Sequence, residues 1–113
     1  MKISEIRDLL DAQVLCCEDR LDREVYSACG CDLMSDVLAF VKDQAVLMTG
    51  LVNPQVIRTA VMMDMVCIVF VRSKTPSEEM LSLARDNGIV IMRSERRLYE
   101  ACGIMYSNGL GKQ

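Results

Sequence analysis

The amino-acid sequence predicts an α/β fold, a single domain over residues 1–113 with a mainly parallel β-sheet flanked by helices. Three observations carry that prediction. The stretch 45–72, AVLMTGLVNPQVIRTAVMMDMVCIVFVR, reads as strand, tight polar turn, helix and buried strand, the order of one parallel β-α-β unit. Within it, Met65 to Val71 is an unbroken apolar run rich in β-branched residues, as a strand covered on both faces requires. Helix-like and strand-like segments alternate through the rest of the chain, the pattern of a sheet wound with crossover helices.

The elements follow in order. Ile3, Ile6, Leu9 and Leu10 recur at helical spacing, so the chain opens with a short amphipathic helix ending near Ala12. Gln13 to Cys17 is a short strand, residues 18–22 turn the chain, and Arg23 to Cys29 is a second extended stretch closed by Gly30. A helix from Leu33 to Val41 places apolar residues at 33, 34, 37, 38 and 41 and has Asp32 or Ser35 as its cap. Lys42, Asp43 and Gln44 form the loop into the β-α-β unit, whose helix runs from Pro54 to about Met63 with Val56, Ile57, Ala60 and Val61 facing inward. Thr75-Pro76-Ser77-Glu78 has the form of a capping box with Thr75 as N-cap, and Asn87-Gly88 ends the helix it starts. Ile89 to Met92 is a further short strand, Ser94 caps a last helix reaching about Ser107, and residues 109–113 form a tail expected to fray.

Composition narrows the function. A chain of 113 residues buries roughly two thirds of its unfolded surface, enough for a core without covalent staples. Net charge is −3 and the Lys and Arg residues are scattered, so no basic stripe exists for a phosphate backbone; with aromatics at 4% and no Trp, nucleic acid is not expected as a partner. No apolar run approaches the ~20 residues of a membrane helix, and the charged first helix carries no apolar signal core, which predicts a cytoplasmic protein with no membrane contact. The six cysteines are then expected as reduced thiols, Cys67 and Cys102 serving as small hydrophobes. Cys16-Cys17 and Cys29-Gly30-Cys31 stand at strand ends, where thiols meet a metal or an oxidant, but the spacing is not that of paired zinc knuckles and there is no histidine, so no metal or cofactor is expected. The missing histidine also removes the Ser-His-Asp and Cys-His arrangements, and no activity as an enzyme is expected.

The feature that points to binding is the turn Thr49-Gly50-Leu51-Val52-Asn53-Pro54. It lies at the carboxyl end of a strand, where open α/β sheets place their ligand crevices, and it combines a glycine with an N-cap Asn and a Pro at the first helical position. It has neither the lysine of a P-loop nor a GxGxxG, so anion affinity would rest on backbone N–H groups and on Arg58. The corner from Asp32 to Ser35 and Asp36 also follows a strand and precedes a helix, so it belongs at the same sheet end. The candidate ligand-binding residues are therefore Asp32, Ser35, Thr49, Gly50, Leu51, Asn53 and Arg58. Two simpler alternatives stand beside this reading: the turn is only a well-capped strand-to-helix connection, and Asp32 and Asp36 only interact with the positive end of their own helix. Among nine methionines, Met62 and Met63 are adjacent on a helix and cannot both point inward, so one is exposed or touches another subunit.

Taken together, Leu21-Asp22-Arg23-Glu24-Val25, Ser35-Asp36-Val37-Leu38, Thr49-Gly50-Leu51, Asn53-Pro54-Gln55 and Glu100-Ala101-Cys102-Gly103 resemble the DRTGG domain family over nearly the whole chain. Asp32 is followed by Leu33 where the family's name-giving motif has arginine, and Leu51 stands in place of the second glycine. The resemblance implies a fold like the amino-terminal domain of HPr kinase without its phosphate-binding kinase domain. It further implies the regulatory, subunit-contacting role that such domains have inside long phosphotransacetylases and CBS-containing pyrophosphatases. A homodimer is thus expected, a non-catalytic regulatory or interaction module that binds a small nucleotide-like or anionic ligand. Because stand-alone members are often encoded beside iron hydrogenase and electron-transfer genes, the alternatives are a structural adaptor of a hydrogenase or other redox enzyme complex, or a thiol-based redox sensor using Cys29 and Cys31.

Overall fold

The computed structural model describes residues 1–40 and 44–110, so Val41, Lys42 and Asp43 of the second helix end and loop, and residues 111–113 of the tail, lie outside it. In chain order the elements are α1 (Ile3–Leu9), β1 (Gln13–Cys16), a single 3-10 turn (Glu18–Arg20), β2 (Ser27–Gly30), α2 (Met34–Phe40), β3 (Ala45–Thr49), α3 (Pro54–Met62), β4 (Cys67–Phe70), α4 (Glu78–Asp86), β5 (Val90–Arg93) and α5 (Leu98–Ser107). The five strands form one sheet in the order β1-β5-β4-β3-β2. β2 to β5 run parallel, and β1 closes the far edge antiparallel to β5 with a bulge between Val14 and Cys16.

Each face of the sheet carries its own core. Val46, Met48, Cys67, Val69, Val90 and Met92 point to the side covered by α1 and α5, where Ile3, Ile6, Leu10, Ala101 and Met105 meet them. Leu47, Ile68, Phe70 and Ile91 point to the other side, against Met34 and Val37 of α2, Val56, Ile57 and Ala60 of α3, and Met80 and Ala84 of α4. β3 and β4 are buried on both faces, as their continuous apolar sequence requires.

Local readings and structure part company where a neighbour decides. The inward face of α3 uses Thr59, while Val61 is 37% exposed. On α2, Met34 and Val37 are buried but Leu33 and Leu38 face outward. Ser77, not Thr75, caps α4, its Oγ accepting the Met80 N–H at 3.2 Å, so the helix starts two residues later than the Thr75 capping box predicts, with Pro76 buried just ahead of the cap. α5 begins after Arg97, and Ser94 is a buried tie whose Oγ donates to the Leu10 carbonyl at 2.7 Å. Arg23 to Val25 is not part of β2; it runs beside the amino terminus, with the Ile3 N–H donated to Arg23 and the Val25 N–H to Met1. Of the expected tail, Leu110 is buried and donates its N–H to Met105, because an apolar side chain at that point completes the α1–α5 core.

The Thr59 hydroxyl is fully buried and has no hydrogen-bond partner among the described residues. A desolvated hydroxyl left unpaired costs about 1–3 kcal/mol, and valine has nearly the same shape. Thr59→Val is therefore expected to raise stability by about 1 kcal/mol, read as a higher urea midpoint with unchanged m-value; a lower midpoint would show that the hydroxyl is engaged.

Candidate functional site

Parallel pairing in register delivers three chain exits to one edge of the sheet. Gly30 is opposite Met48, and Thr49 is opposite Phe70, so Cys31-Asp32, Gly50-Leu51 and Val71-Arg72 emerge side by side. The strands are tied at that edge by the Cys31 N–H donated to Met48 and the Val71 N–H donated to Thr49.

The two predicted corners meet through a single oxygen. Asp32 Oδ1 accepts the Thr49 hydroxyl at 2.8 Å and the Gly50 N–H at 2.8 Å, and Thr49 Oγ1 in turn accepts the Leu51 N–H at 3.1 Å. The N–H groups of Gly50 and Leu51 are thus taken by internal acceptors, with a carboxylate already in the position an anion would occupy on this turn. Asn53 is the N-cap that the sequence indicates, its Oδ1 accepting the Gln55 N–H at 2.8 Å, with Pro54 at the first helical position. Ser35 and Arg58 are exposed, and no hydrogen bond or ion pair joins either to Asp32, Thr49 or Gly50 among the described residues.

Arg72, which the sequence reading did not include, also stands at this corner. Its guanidinium lies so close over Gly50 that a Cβ at that position would collide with it. Gly50 is not among the positive-φ glycines, so no left-handed turn requires a glycine there, and the group above it is the far end of an exposed side chain. The signal was present in the pairing: the first charged residue beyond the buried strand necessarily emerges beside the turn that ends β3. The site is therefore Asp32, Thr49, Gly50, Leu51 and Arg72, with Asn53 holding the helix behind them.

Four of the thiols, Cys16, Cys29, Cys67 and Cys102, are poorly suited to exchange. All six are free. Burial raises Cys16 from 9.0 to about 11, and its Sγ donates to the Ile89 carbonyl at 3.4 Å. Burial likewise raises Cys29 to about 11, with Cys31 and Cys102 adding to the effect, and it pushes the Cys67 and Cys102 thiols up. Little thiolate exists at neutral pH in such groups, and the thiolate is the reactive species. Cys31 is occupied locally, its Sγ donating to the Leu33 carbonyl and accepting the Leu33 N–H, both at 3.3 Å.

Two outcomes are expected. Asp32→Ala strands the Gly50 N–H and the Thr49 hydroxyl, so it should cost about 1–3 kcal/mol in urea denaturation, while Asp32→Asn, which keeps an acceptor, should cost clearly less; equal losses would mean that these bonds contribute little. For the thiols the sign follows from folded values lying above unfolded ones: their contribution is intact below pH 9, and is lost as the pH climbs through about 11, because only the unfolded chain ionises in that window. Stability should fall between those limits, and less steeply in a Cys16→Ala, Cys29→Ala variant; identical slopes would contradict the burial effect.

The family model of the DRTGG domain matches residues 5–107. Among solved structures, the fold is similar to the CBS and DRTGG domains of the regulatory region of Clostridium perfringens pyrophosphatase, complexed with the activator diadenosine tetraphosphate. The TM-score is 0.73 at 16% identity, over 92% of this chain and 45% of that one, so this chain spans less than half of that relative's length and the likeness speaks for the fold. No curated protein matches. With the family model running through α1 to α5 and the same sheet present in a DRTGG-containing regulatory region, the chain belongs to the DRTGG domain family.

Proposed function

We propose that this chain is a non-catalytic regulatory module that binds a small anionic, nucleotide-like ligand at the carboxyl edge of β2, β3 and β4, and that it acts as a homodimer. The observation that carries the reading is the corner itself: Asp32 bridging two strand exits while the Arg72 guanidinium lies across Gly50. Arg72 has no ion pair or hydrogen bond from its side chain among the described residues, so its fork of donors is available to a phosphate. Asp32 Oδ2 accepts no hydrogen bond there and supplies an acceptor for a hydroxyl or amino group. Regulation follows from position, since a ligand on this corner pulls together the starts of α2 and α3 and the exit of β4. The nucleotide activator in the similar pyrophosphatase region supports this ligand class. Dimerisation is supported by the exposed aromatic side chains that share one face of α5, Tyr99 at 92% and Tyr106 at 60%. The thiol-sensor alternative has the weaker support, given the raised thiols.

Adenosine monophosphate, diadenosine tetraphosphate and inorganic phosphate test the proposal in thermal shift and amide chemical-shift mapping. A binder is expected to stabilise the fold by RT ln(1 + [L]/Kd), about 2.7 kcal/mol at a hundredfold excess over Kd. Perturbed amides should cluster at 31–35 and 49–53, and Arg72→Ala should weaken binding about tenfold without lowering the melting temperature. Silence of those amides with all three compounds would refute the ligand site. Sedimentation equilibrium showing only the 12.7 kDa species at micromolar concentration would refute the dimer.

A further inference from the structure

β4 and β5 are adjacent parallel strands, yet the chain leaves β4 for α4 on one face and leaves β5 for α5 on the other. The carboxyl ends of the strands are where open α/β sheets hold ligands. A cavity of about 480 Å³ lies beside the carboxyl end of β5, at its antiparallel border with β1, lined by Leu10, Asp11 and Gln13 from the α1–β1 connection and by Arg93, Glu95, Arg96 and Glu100. None of these is a residue of the Asp32–Arg72 corner.

The walls are built rather than incidental. Ser94 is 1% exposed, donates its hydroxyl to the Leu10 carbonyl and accepts the Arg96 N–H at 3.2 Å, which locks the α1 end to the approach of α5. Arg72 and Ser73 adopt left-handed backbone at φ 54 and 56 and donate their N–H groups to Arg96 and Ser94 at 2.8 and 2.9 Å. Such a conformation is costly for residues with a side chain and persists only where surrounding bonds enforce it.

Inside, the charges divide into spent and free. Arg96 is neutralised by Asp11 at 3.1 Å and Glu100 at 3.2 Å. Arg93 uses only Nε, donated to the Ser73 carbonyl at 3.2 Å, and its two terminal nitrogens have no partner among the described residues. Glu95 is exposed and has no partner there either. The lining thus offers one unspent guanidinium and one unspent carboxylate, and with two Arg against Asp11, Glu95 and Glu100 it is net negative. A nucleotide, which brings only negative charge at neutral pH, is a poor match; a molecule carrying an anion and an ammonium together is a good one.

We propose that this cavity is a second binding site, separate from the Asp32–Arg72 corner, which takes a small zwitterion of the amino-acid class, its carboxylate on Arg93 and its ammonium toward Glu95. The excess of acceptors favours a side chain that is itself cationic. The test is amide chemical-shift mapping of the full chain with L-lysine, with L-glutamate and adenosine monophosphate as comparisons. Saturable shifts with L-lysine are expected at 11–13 and 93–100, with weaker ones from L-glutamate. Glu95→Gln, at an exposed residue outside every bond of the fold, should weaken L-lysine about tenfold, and Arg93→Gln should do the same. The proposal is overturned if no amide in those segments moves at millimolar L-lysine, if the shifts survive both substitutions unchanged, or if adenosine monophosphate produces them equally. Because the corner site reports through 31–35 and 49–53, while 71–73 is bonded to the walls of this cavity and is read for neither, and because the corner responds to phosphate compounds, failure of one site leaves the other separately readable.

Discussion

Met65 to Val71 contains no side chain that gains from water, so both faces of β4 have to be covered. A strand in that position cannot leave its backbone groups unpaired either, and β3 and β5 supply partners on both edges. Parallel neighbours need crossover helices, and covering two faces needs helices on both. The division into α2, α3 and α4 on one side and α1 and α5 on the other is the consequence of this one buried strand.

In-register pairing then does the work of building a surface. Because β2, β3 and β4 end level with one another, their exits are a few residues of polar chain held at fixed spacing by the sheet rather than by their own contacts. Asp32 exploits that spacing: a carboxylate leaving β2 reaches the hydroxyl and N–H at the end of β3, and the turn needs no ligand to hold its shape. Gly50 lies under the far end of the Arg72 side chain, which leaves the next strand. The site belongs to the sheet edge, and each turn alone contributes only part of it.

The same edge separates the two kinds of chemistry. On the β2–β4 side the unspent charge is a guanidinium beside backbone donors already satisfied by Asp32. At the β5 end, arginines and carboxylates alternate, and one triad, Asp11, Arg96 and Glu100, cancels itself. Cys16, Cys29 and Cys67 are drawn into packing, and burial raises their thiols.

What the sequence by itself determined is whatever depends on near neighbours in the chain: the buried strand, the β-α-β unit, the Asn53-Pro54 helix start and the Asn87-Gly88 stop, each set by spacing or capping within a turn. The family was also legible, because its motifs are runs of adjacent residues. Tertiary structure alone decided which of two nearby hydroxyls caps α4, and it decided that Ser94 ties the α1 end to the approach of α5 instead of starting a helix. It also decided the direction of β1, the place of β2 beside β3, and the burial of Leu110. The candidate site divides along the same line. Asp32, Thr49, Gly50, Leu51 and Asn53 were visible as turn chemistry, whereas the approach of Arg72 to Gly50 follows only once the strands are paired, because cross-strand proximity is a property of register that no local pattern encodes.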